Sequence, residues 1–237
     1  PRVKGQMYEQ DFHLPMAACW PAAAAGGRAI ADLIGFVDVA PTFLAAAGLP
    51  PHPHMAGRSF LDLLLSGREG QVDPSRTRAY FGRERHDLGR EDDLGYPVRC
   101  IRTPQYLYVR NFAPERWPAG NPETGFTNCD SSPTKSRILE LHAGGESACY
   151  DWCFGRRPAE ELYDVLRDPD CVTNLAGNPE FAALKKGLWQ ELQETLRRTG
   201  DPRIEGRGDV FEGYPYVGRD HHSWKALREG RWQPQKY

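Results

Sequence analysis

Phe181, Leu184, Leu188, Leu192 and Leu196 recur at helical spacing, with Lys185, Lys186, Glu191 and Glu194 off the stripe. Apolar residues that return every three or four positions share one helix face, so the stretch from Pro179 or Glu180 to about Arg198 reads as an amphipathic helix. Roughly 20 residues rise ~30 Å, enough to cross a small sheet. Upstream lie short β-branched and aromatic segments that supply such a sheet: Arg78–Gly82, Val98–Arg102, Tyr106–Arg110 and Leu162–Leu166. Thr103-Pro104-Gln105 leaves room only for a tight hairpin between the second and third. An antiparallel four-stranded sheet with a covering helix is an α+β arrangement.

The first third has a different pattern. Leu14 to Pro21 is a short apolar run bounded by prolines and reads as a buried strand of an α/β sheet. Ala31–Val37 is a second apolar segment. Asp38 reads as the N-cap of a helix that has Pro41 in its first turn, runs through Ala47 and closes on Gly48. Ser59 caps a second short helix, Phe60–Leu65, ended by Gly67. The polar stretch Gly70–Ser75, with Pro74, marks a boundary. The expected division is therefore 1–75, α/β in character, and 76–237, α+β. The second part carries an insertion at about 113–158, rich in Pro, Gly, Ser and Asn, with a short helix over Ser136–His142. Its two tryptophans and several prolines argue for an ordered cover over the surface. The turn-rich, aromatic tail after Gly200 is expected to wrap the body.

Charge and cysteine usage exclude several classes. With 30 basic and 32 acidic residues the chain has no field suited to nucleic acid. No apolar run approaches the ~20 residues of a membrane span. Pro1-Arg2-Val3-Lys4 is not followed by the apolar core of a signal peptide, and the chain starts almost on a strand, as though cut from a longer protein. Of six cysteines none forms a C-x-x-C pair, which argues against a zinc ribbon or a thioredoxin motif. Cys19 and Cys100 read as small core residues. Cys149 and Cys153 could pair with each other or with Cys129 in an oxidising compartment. His52 and His54 form an H-x-H pair with no further ligand nearby, so no metal site is assigned. Lys4 stands beside Gly5, on backbone that can turn tightly and bring an ammonium close to an anion.

Four stretches together resemble the C-terminal part of the sulfatase family, within the alkaline-phosphatase-like superfamily. Lys4-Gly5-x-x-Tyr8-Glu9, with Pro15 and Trp20-Pro21, resembles K-x-x-x-Y-E-G-G-x-x-x-P, departing from it at Gln10-Asp11, where the family has two glycines. Val37 to Gly48 resembles the D-x-x-P-T-x-L-x-x-A-G helix. Met55 to Phe60 resembles the G-x-S-[FL] turn. Glu161 to Pro169, with Asn174-Leu175-Ala176, resembles E-L-Y-D-L-x-x-D-P-x-E-x-x-N-L-A. The blocks stand in the family's order across most of residues 1–200. Gly82 to His86 and Tyr96 to Arg102 look closest to the heparan N-sulfatases, the N-sulfoglucosamine sulfohydrolases.

The resemblance implies a hydrolase of sulfate esters or N-sulfates acting on a sulfated sugar such as heparan-type glucosamine. Its nucleophile would be a formylglycine made from a C/S-x-P-x-R motif, and a calcium ion would polarise the sulfate. None of the six cysteines lies in such a motif and no Asp-Asn metal pair precedes Lys4. Both groups are therefore expected upstream, and this stretch is expected to be inactive alone. Lys4 matches the family's basic residue that contacts the sulfate group. His86 is the next candidate, for the substrate pocket, followed by Glu84, Arg85 and Arg99, where an arginine suits a uronate carboxylate or a sulfate. Family membership also implies action outside the cytosol, in the periplasm, the medium or a lysosome-like compartment. Two other readings stay open: a phosphodiesterase or phosphonate hydrolase of the same superfamily, and a non-catalytic carbohydrate-binding module.

Overall fold

The computed structural model describes residues 2–234. In chain order its main elements are helices α1 (Glu9–Phe12), α2 (Val39–Ala46) and α3 (Leu61–Leu65), then strands β1 (Ala79–Arg83), β2 (Val98–Arg102) and β3 (Tyr106–Asn111). Helices α4 (Pro133–Ala143) and α5 (Ala148–Phe154) follow, then β4 (Glu160–Asp164), α6 (Ala182–Arg198) and α7 (Trp224–Arg228). The chain divides into two units, Pro1–His13 with Phe81–Cys100 and Tyr106–Tyr237, and Leu14–Tyr80 with Ile101–Gln105.

The larger unit is built on a four-stranded sheet of order β1-β2-β3-β4. Strands β3 and β4 pair antiparallel, with Leu107 opposite Tyr163 and Val109 opposite Glu161. Because side chains alternate along a strand, those four share one face. There Leu107, Val109 and Tyr163 join Met7, Tyr8, Tyr96, Val98 and Cys100 in one core. The other face carries Tyr106 and Tyr108, and α6 covers it. Trp189 meets Tyr108 and Phe112, and Phe181 meets Tyr106. Leu188, Leu192 and Leu196 of the expected stripe are buried. The fourth strand starts earlier than the apolar run suggests. It holds Glu160 and Glu161, and Leu166 lies beyond its end, exposed. The reason is pairing: Glu160 takes a register position opposite Arg110, and Glu161 has buried partners.

The 113–158 insertion has a core of its own, in which Ala119, Phe126, Ile138 and Phe154 pack with Trp117 and Tyr150. Ser132 caps α4 by accepting a hydrogen bond from the Lys135 N–H, and Pro133 occupies the first turn. The Lys135 ammonium is buried and donates to the Phe126 and Cys129 carbonyls. Helix α5 has no expected counterpart, because Cys149-Tyr150-Asp151-Trp152-Cys153 shows no clean apolar stripe.

In the smaller unit Phe60, Leu63 and Val72 pack with Ile30, Ile34 and Val39. Asp38 does not cap α2 with its side chain. Its carboxylate instead accepts from the Gly35 and Arg58 N–H groups and pairs with buried Arg76 at 3.3 Å. Thr42 donates to the Asp38 carbonyl and accepts from the Phe60 N–H, fastening α2 to the start of α3. The strand expected over Leu14–Pro21 does not form: those residues are irregular and exposed. Pro15 and Pro21 offer no N–H to a ladder, and among the described residues the run has no strand partner. Cys19 lies in it, so the core role expected for Cys19 fails, whereas Cys100 is fully buried. All six cysteines are free thiols.

Candidate functional site

Lys4 sits on a turn that reverses at Gly5, whose φ of +65° suits glycine. The Asp11 carboxylate, within α1, lies near the backbone of Gly5 and Gln6. Gln10 and Asp11, where the family pattern has two glycines, lie within α1. Burial pushes the Asp11 carboxyl upward, against the nearby Gln6 and Gly5 backbone and the charges of Arg83 and Lys4. The Lys4 ammonium is half exposed and lies 3.1 Å from Asp130, which is more exposed still.

His86 follows β1 and meets this turn. A Cβ built on Gly5 would stand 3.3 Å from His86 Nδ1 and 3.4 Å from Arg83 Nη1. The imidazole therefore lies against the Gly5 backbone. Half-burial pulls the His86 pKa below its ordinary value, helped by the positive charges of Arg83 and Lys4 and opposed by Asp87. At neutral pH the ring is an uncharged hydrogen-bonding group beside a cation. Lys4, His86, Arg83 and Asp11 thus come together, with Asp130 in front. Asp130 is brought there by the insertion, and sequence spacing carries no sign of it.

Glu84, Arg85 and Arg99 are engaged otherwise. The Arg99 guanidinium donates to Asp201 at 2.6 Å and to Glu84 at 2.6 Å, and Glu84 also accepts from Arg203 at 2.5 Å. Burial pulls the Arg99 pKa down, but the Asp201 hydrogen bond and the Glu84 charge outweigh it and hold it up. The charges of Glu84 and Arg99 are spent on fastening the segment after α6 to β1 and β2. Arg85 donates to the Tyr214 carbonyl at 2.7 Å and stacks near Tyr216.

The C-terminal segment holds the loop that carries His86. Asp87 accepts from the Tyr216 hydroxyl and from His222 Nε2, each at 2.9 Å. Asp93 accepts the Trp224 N–H, and Glu212 bonds the Gly95 N–H and Arg116. Burial pushes Asp87 up, yet its bonds from His222, the Leu88 N–H and Tyr216 leave it below the usual carboxylate range. The tail does wrap the body, and it does so over residues 84–95.

A metal centre within the chain finds no support: among the described residues no cluster of three or more His, Cys, Asp and Glu could hold an ion. No helix among them is long and apolar enough to cross a membrane.

Residues 3–117 match the family described as N-sulphoglucosamine sulphohydrolase, C-terminal, a span that includes Lys4, Glu84, Arg85, His86 and Arg99. An ulvan-active sulfatase of Formosa agariphila is 30% identical over 203 residues, covering 85% of this chain and 31% of that protein. Human N-sulphoglucosamine sulphohydrolase is 24% identical over 201 residues, covering 78% of this chain and 36% of that protein. The chain thus spans about a third of the length of the curated relatives it matches. A solved structure described as bound to its substrate D-glucosamine-2-N,6-O-disulfate aligns with a TM-score of 0.44 and 21% identity, covering 69% of this chain and 24% of that one.

Proposed function

We propose, from the premise that this chain belongs to the sulfatase family and matches the C-terminal part of its members, that it completes the substrate site of an enzyme removing sulfate from a sulfated sugar. The observation that carries this reading is the half-exposed Lys4 ammonium on the Gly5 turn beside a neutral His86. An exposed ion pair such as Lys4–Asp130 is worth little in water. An incoming sulfate could therefore displace Asp130 and take the ammonium as its own donor. Lys4 would neutralise charge on the sulfate oxygens as the S–O or S–N bond breaks. His86 would bond a sugar hydroxyl or a second sulfate oxygen. N-sulfated glucosamine is the substrate class that the family match suggests. Among the described residues no cluster of His, Cys, Asp and Glu could hold the calcium ion that the family implies, and no cysteine of the sequence lies in the motif that yields formylglycine. Both would come from the remainder of the protein, and the isolated chain would release no sulfate. Such an enzyme would act outside the cytosol.

The test is sulfate release by the full-length protein from N-sulfated and O-sulfated glucosamine. Replacing Lys4 with Ala should lower kcat/KM by ~100-fold or more, with the melting temperature unchanged. Lys4→Arg should recover part of the loss. Wild-type activity in Lys4→Ala would remove Lys4 from the site.

A further inference from the structure

Directly behind the Lys4 turn the larger unit has a small, partly open cavity of about 10 Å³. Gln6, Arg83, Tyr96 and Arg157 line it, and each brings at least one buried polar atom that has no partner in the protein. These atoms are Gln6 Nε2, Arg83 Nε and Nη1, Tyr96 Oη and Arg157 Nε. The rest of each guanidinium is fixed: Arg83 Nη2 donates to the Pro118 carbonyl, and Arg157 donates to the Asp151 and Trp152 carbonyls. Glu161 also lines the cavity, but its oxygens already accept from Tyr8, Tyr163 and Asn111.

Buried polar groups are nearly always bonded, so several unfilled donors around one void call for an acceptor. A water molecule answers this badly. It fills only a few bonds and needs acceptors for its own protons, whereas nitrogens of arginine and the glutamine amide nitrogen can only donate. Two guanidiniums against one carboxylate also leave the lining with one positive charge in excess. Burial pulls the Arg83 pKa down to about 10, against the opposing charge of nearby Asp11.

We propose that this cavity binds a single monatomic anion, chloride in ordinary media, held by Arg83, Arg157, Tyr96 and Gln6. The cavity is small, so it suits a monatomic ion better than a tetrahedral oxyanion such as sulfate or phosphate, and its donors are other than Lys4 and His86. The site is therefore distinct from the one proposed for substrate at Lys4 and stands whether or not that reading holds. Gln6 lies two residues after Lys4, so the ion ties the turn that presents Lys4 to β1 and to Arg157.

Crystals of the full-length protein grown with bromide in place of chloride, measured at the bromine absorption edge, test this. An anomalous peak in the cavity, within hydrogen-bonding reach of Arg83 and Arg157, is the expected result. In solution, melting should be about 3 °C higher in sodium chloride than in sodium gluconate at equal ionic strength. Gln6→Glu, which supplies its own carboxylate to the donors, should abolish that difference. A water without anomalous signal in the cavity, a carboxylate from another segment filling it, or equal melting in the two salts would overturn the proposal.

Discussion

Two residues set the geometry at Lys4, and each can be tested by itself. Gly5 combines a φ of +65° with a His86 ring against its α-carbon. Alanine there would carry a left-handed backbone cost of about 1 kcal/mol and push on the imidazole. Gly5→Ala should therefore raise KM several-fold in the full-length enzyme while lowering stability only slightly; an unchanged KM would mean that the turn and His86 move independently. His86 offers a readout without substrate. Its titration, followed by NMR, should have a midpoint below the ordinary histidine value, and Lys4→Gln should move that midpoint up by removing a neighbouring positive charge. The sign for stability follows. The unfolded chain takes up the proton first as pH falls, so what neutral His86 contributes is present above about pH 6.5 and lost progressively below it. Lys4 and His86 are legible from sequence because a motif carries them. The pairing with Asp130 is not, since it depends on how distant backbone folds back.

Among the elements, legibility follows periodicity. Helix α6 and strands β2 and β3 lie where the apolar pattern places them: α6 buries one stripe, and the two strands are short apolar runs buried on both faces. Leu14–Pro21 shows the limit. A short apolar run between prolines has the composition of a buried strand, yet it needs a partner that composition cannot supply. Glu84 and Arg99 show another limit: charged residues beside a site motif suggest ligand contacts, whereas here each is satisfied within the fold. That cluster joins β1 and β2 to the segment after α6, and Arg99 carries it with one guanidinium shared by two carboxylates. Arg99→Met would leave Asp201 and Glu84 without that partner in a largely buried setting, and thermal or denaturant unfolding should show a loss of about 3 kcal/mol. Arg99→Lys should recover little of it, because an ammonium lacks the planar fork. A loss below about 1 kcal/mol for Arg99→Met would show that Arg203 alone suffices to hold Glu84.

At the scale of the whole molecule, the two units differ in how they treat apolar surface. Within Leu14–Leu65 the side chains of Leu14, Met16, Trp20, Phe36, Val37, Phe43, Leu49 and Leu65 are all exposed, Phe36 to 77% and Phe43 to 71%. Exposed apolar residues in the larger unit are spread over a much longer stretch and read as the scattered kind that any surface carries. Where such side chains share a surface, it suits one that another part of a protein covers. The chain spans about a third of the length of three of the relatives it matches, so in those proteins other parts are at hand to cover the corresponding stretch. Two measurements separate a covered face from an accidental one. The isolated chain should bind the dye ANS while its near-ultraviolet circular dichroism stays native-like, and the full-length protein should bind far less. Phe36→Ser with Phe43→Ser should reduce the dye signal of the isolated chain without lowering its melting temperature. In the full-length protein the same pair should cost about 2 kcal/mol or more, because there the two rings would be buried. Equal dye binding by the two proteins, or a neutral effect of the pair in both, would show that these side chains face water throughout.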